Sequence, residues 1–107
     1  MEREIDPHQL RIAAIQTRLQ AIQEQLSAGW TFSRVAETEL ALGRVDVARR
    51  VVERLRLSLR RVGQHIEEPN HIPPECIHDL LQELARLEAR IDDIETRLAH
   101  LGGAAVH

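Results

Sequence analysis

Lysine and tyrosine are missing from this 107-residue chain, and Trp30 and Phe32 are its only aromatic side chains. A core so poor in rings must be built from Leu, Ile, Val and Ala, the residues of helical seams. Glycine and proline are scarce, at 5 and 4 residues, which argues against both a turn-rich all-β domain and a disordered tail. Cys76 stands alone, so no internal disulfide framework is possible and a reducing, cytoplasmic setting is expected. No run of apolar residues is long enough to span a membrane. The opening Met1-Glu2-Arg3-Glu4-Ile5-Asp6 is acidic and lacks the apolar stretch of a secretory leader.

Catalytic signatures are missing as well. There is no Gly-rich phosphate loop, no Gly-x-Ser-x-Gly elbow and no His-Glu-x-x-His pair, and Ser27, Ser33 and Ser58 have no motif that assigns them a base. The expectation is a protein that is not an enzyme and needs no cofactor.

What is present is periodic. Apolar residues make up 43% of the chain and charged residues 29%, enough for one buried core under a charged surface. All 14 basic residues are Arg, as a GC-rich coding sequence produces. Asp6-Pro7 with Gln9 reads as a helix start. Ile12, Ile15, Leu19, Ile22 and Leu26 then recur at spacings of three and four, with Ile5 one heptad before them. Gly29 is expected to close this helix, and Thr31 to cap a short second one bearing Phe32, Val35, Ala36 and Leu40, with Trp30 stapled onto Val35. Gly43 ends that second helix. A third carries Val45, Ala48, Val52, Leu55, Leu59, Val62 and Ile66, with Val51 and Leu57 widening its face, and stops at Pro69. The last begins at Pro73-Pro74 and holds Ile77, Leu80, Leu84, Leu87, Ile91, Ile94, Leu98 and Leu101 in heptad register until Gly102-Gly103. The pattern therefore predicts an all-α fold over residues 1–107: a four-helix bundle, or helical hairpin with long antiparallel coiled-coil-type terminal helices, with helices near 7–28, 31–42, 45–68 and 74–101.

Over residues 31–55, Phe32, Val35, Ala36 and Leu40 followed by Gly43, Asp46 and Ala48 resemble one tetratricopeptide-type helical hairpin in spacing. Glu39-Leu40 and Val51-Val52 stand where that family carries large aromatics, and no second copy of the hairpin occurs. The resemblance implies a compact αα-hairpin with a peptide-docking role.

Charge is segregated. Residues 44–66 carry Arg44, Arg49, Arg50, Arg54, Arg56, Arg60 and Arg61 against Asp46 and Glu53, whereas residues 67–107 carry nine acids against Arg86, Arg90 and Arg97. Antiparallel packing of the two segments would set them side by side. The alternative use of the basic helix is phosphate binding through Arg49, Arg56, Arg60 and Arg61. Against nucleic acid stand the net charge of −3, the lack of a helix-turn-helix or zinc-finger pattern, and the shortage of rings for base stacking.

A second alternative is metal binding. His65, His71, Cys76 and His78 fall within fourteen residues around the proline connector, and imidazole and thiolate are zinc ligands. Their spacing matches no common zinc motif, and Cys-x-His directs its two side chains to different sides of a helix.

Narrow seams such as those of the first and last helices are covered by a single partner helix. The leading expectation is accordingly a protein–protein interaction or oligomerisation module, a homodimer or the binder of a helical partner. Its interface is expected at Ile15, Leu19 and Ile22 of the first helix and Leu84, Leu87, Ile91, Ile94 and Leu98 of the last, with no membrane involved.

Overall fold

A computed structural model describes residues 6–68 and 72–106, with side chains as far as Leu101. The described residues form three α-helices and no strand: α1 (Pro7–Ala41), α2 (Val45–Glu67) and α3 (Pro74–Val106). Each helix contacts the other two. Ile5, Pro69, Asn70 and His71 lie outside the described residues.

The expected four-helix count is corrected here, because Gly29 does not end a helix. Helix α1 runs unbroken through it, joining the segments expected at 7–28 and 31–42. The seam itself explains the continuity. Counting in sevens from Ile12 and Ile15, the inward positions continue as Leu19, Ile22, Leu26, Gly29, Ser33, Ala36 and Leu40. Gly29, Ser33 and Ala36 are all buried. A Cβ on Gly29 would lie 2.6 Å from Cδ2 of Leu87 and 3.5 Å from Cδ2 of Leu59, so the glycine provides room for two leucines. Ser33 satisfies its buried hydroxyl within the helix by donating to the Trp30 carbonyl at 2.7 Å. Thr31, expected to cap, instead donates to the Ser27 carbonyl at 3.3 Å as an interior helical residue, and a Trp30 staple has no helix start to act on.

The expected ends are met elsewhere. Asp6 caps α1 by accepting from the His8 amide at 3.0 Å, with Pro7 in the first turn. At the other end Gly43 has φ 77°; its amide donates to the Leu40 carbonyl at 3.0 Å and that of Arg44 to Glu39 at 2.8 Å. This is the paired hydrogen-bond pattern of a Schellman stop. Helix α2 begins and ends within a residue of its expected bounds. Helix α3 runs past Gly102-Gly103, which was expected to terminate it, to Val106.

Pairing fixes the directions. Arg18 meets Glu68 while Gly29 faces Leu55 and Leu59, so α1 and α2 are antiparallel. Gly63 faces Leu84 and Arg56 meets Asp92 and Glu95, so α2 and α3 are antiparallel too. Gly29 against Leu87 and Glu37 against Arg90 then make α1 and α3 parallel. The two long terminal helices are therefore not antiparallel to each other; each is antiparallel to α2. The core consists of Ile22, Leu26 and Ala36 from α1, the whole α2 seam from Ala48 to Ile66, Ile72 of the connector, and Leu80, Leu84, Leu87, Ile91, Ile94 and Leu98 of α3.

The register also shows where α1 ends up alone. Arg18 is level with the end of α2, and Gly29 is level with Leu87, thirteen residues into α3. Residues 7–16 thus project beyond both neighbours by about 15 Å at 1.5 Å per residue, within a rod of 74 × 27 × 15 Å.

Candidate functional site: exposed helix faces

Six of the eight expected interface residues belong to the core of their own chain. Leu87, Ile91 and Ile94 are fully buried, Leu98, Ile22 and Leu84 nearly so. The parallel packing of α3 beside α1 closes that stripe internally, so it offers no surface to a second molecule. Ile15 and Leu19 are the exceptions, half-buried at the edge of the core. Immediately beyond them on the seam Ile12 is 42% exposed. The seam of α1 therefore leaves the bundle while still apolar. At the point of exit a groove of about 440 Å³ lies between α1 and α2, lined by Ala14, Arg18, Ile22 and His65 among others.

The four arginines expected to meet phosphate are divided by the fold. Arg56 turns toward α3, its Nε 2.7 Å from Glu95 Oε1 and its Nη2 on Asp92. The Glu95 hydrogen bond, aided by Asp92, outweighs partial burial and holds the guanidinium above its ordinary pKa. Arg49 lies 3.9 Å from Asp46 on its own helix. Arg60 and Arg61 are exposed and, among the described residues, in no ion pair. Arg50 and Arg54, not among the expected four, are exposed as well and likewise unpaired among the described residues. Arg50, Arg54, Leu57 and Arg61 follow spacings of four, three and four, which places them on one outer face of α2. Leu57 there is 56% exposed. That spacing is present in the sequence and identifies the face.

No family model, curated protein or solved structure matches this chain.

Among the described residues, His65, Cys76 and His78 do not converge on one point. His65 Nδ1 lies 3.7 Å from a Glu68 oxygen at the end of α2, Cys76 is half-buried against the core at the start of α3, and His78 is exposed. Among the described residues no group of three or more His, Cys, Asp or Glu side chains converges; His71 lies outside them. Among the same residues, no helix is long and apolar enough to cross a membrane.

A second apolar opening, of about 330 Å³, lies higher on the α1–α2 face between Gln25, Phe32, Val51 and Leu55. Phe32 is 53% exposed there. Phe32 belongs to the last part of the 35-residue α1, and Val51 to α2.

Proposed function

We propose that this chain is a non-catalytic protein–protein interaction and oligomerisation module that acts through a coiled-coil contact. The observation that supports it is the seam of α1: Ile15 and Leu19 half-covered, Ile12 open, on a helix that has outrun its own partners. Apolar seam positions outside a bundle are stabilised by a further helix, which buries them at roughly 25 cal/mol per Å². The lone thiol at Cys76 fits a cytoplasmic setting for such a module. Light scattering across a tenfold concentration range tests the reading. The mass should rise above 12.2 kDa with concentration, and Ile12→Asp, at a position outside the core, should return it to the monomer with the helical signal unchanged. A strictly monomeric wild type would remove the oligomerisation reading.

A second reading rests on Arg50, Arg54, Arg60 and Arg61, which are exposed along one helix and, among the described residues, in no ion pair. It makes α2 a sequence-independent phosphate-binding surface. Binding of duplex DNA or RNA should then weaken steeply with salt, and replacing Arg50, Arg54 and Arg61 by Gln should abolish it. Absence of binding at low salt ends this reading.

A further inference from the structure

We infer that the projecting end of α1 docks on the same segment of a second copy of this chain, antiparallel, about a two-fold axis between Ile12 and Ile15. The inference rests on the interaction reading above and specifies its partner and geometry.

Three observations select this occupant. The first is steric. Beyond Ile22 the seam side of α1 is filled by the chain's own α2 and α3. Two copies pairing their α1 ends in parallel would each have to place a helical pair in the one space between them. Turned head to tail, the two bodies point away from each other and the overlap is confined to residues 7–20, the uncovered turns and the half-covered edge at Leu19. The second is self-complementarity. An axis between Ile12 and Ile15 sets Ile12 of each copy on Ile15 of the other, and His8 on Leu19, so the seam positions left open or half-open by one bundle are those that a copy covers.

The third is charge. Arg11 and Arg18 are seven residues apart and share a flank of α1. It is the flank on which Arg18 meets Glu68 at 3.5 Å. In the antiparallel pair Arg11 of one copy comes within about 3 Å along the axis of Arg18 of the other on the same flank, and Glu68, with exposed Glu67 beside it, is the carboxylate within reach of both cations. The carboxylate that now serves one arginine then serves two, which removes the like-charge penalty of bringing them together. The opposite flank offers Gln9, Gln16 and Gln23, which are neutral in either copy. About three turns of seam form a small contact, below the roughly 1,200 Å² of stable complexes, so the dimer is weak and concentration-dependent.

The test combines mass and distance. A spin label placed at Thr38→Cys, an exposed site far from the overlap, in a Cys76→Ala background should report label pairs about 70 Å apart, twice the 24 to 25 residues between Thr38 and the axis. Light scattering under the same conditions should show a dimer. Arg11→Glu should raise the dissociation constant about three- to tenfold without affecting the helical signal, since two symmetric charge contacts reverse at once. A dimeric mass with labels closer than about 30 Å, as side-by-side helices require, would overturn the antiparallel arrangement and leave the interaction reading standing. A monomeric mass with no coupling between labels at any concentration would overturn both.

Discussion

Gly29 and Gly43 are one residue type in opposite surroundings, and substitution separates them. Gly43 has open space around it, with nothing within 4 Å of a would-be Cβ, but its φ of +77° lies in the left-handed region. Gly43→Ala should therefore lower stability by about 1 kcal/mol through backbone strain alone. Gly29 has ordinary helical geometry and no space. Alanine there gains about 1 kcal/mol of helix propensity but forces its methyl against Leu87, which is itself fully buried. Overpacking of this kind costs about 1–3 kcal/mol, so the net effect is a loss. Adding Leu87→Val should recover part of the Gly29→Ala loss and none of the Gly43→Ala loss. Urea unfolding of the single and double variants, followed by circular dichroism, measures each of these differences.

At the scale of the element, α2 and the heptads of α3 were readable from spacing because their inward positions are all large and apolar. The second half of α1 was not. From Leu26 its inward positions pass through Gly29, Ser33 and Ala36, small residues that a search for hydrophobic periodicity scores as an interruption although the register never breaks. The same reading placed the interface on the seams of both terminal helices, including the buried stripe of α3, since a seam's apolar pattern does not say whether the covering helix belongs to the same chain. It also left Arg50 and Arg54 out of the candidate set, although their spacing with Leu57 and Arg61 places them opposite the α2 seam. Ile91, fully enclosed, takes no part in any surface, and Ile91→Asp should destabilise the fold by more than about 4 kcal/mol by burying an unpaired carboxylate. Loss of the cooperative thermal transition, and not a change of mass with the fold retained, is the expected result. Arg56→Met removes the Asp92 and Glu95 contacts but keeps the aliphatic stem against α3. It should cost at most about 1 kcal/mol and flatten the salt dependence of unfolding.

For the molecule as a whole, the 74 Å rod gives association a measurable shape. With the axis about 11 Å inside the tip, the proposed head-to-tail pair places each far end roughly 63 Å from it, so small-angle scattering should show the maximum dimension growing to about 125 Å as the dimer fills. Side-by-side pairing would thicken the particle at nearly constant length. The projecting segment also makes α1 a helix with two stability regimes in one continuous hydrogen-bonded ladder. Residues 22–40 are clamped by the core and open only with the domain. Residues 7–16 are tethered at one end only, and an unsupported helix of that length is marginal in water. Amide exchange along α1 should therefore slow progressively from the tip toward Ile22, the outer turns opening independently of the rest. Raising the protein concentration should slow the tip alone, so a single helix would report its own association through the lifetime of its amide protons.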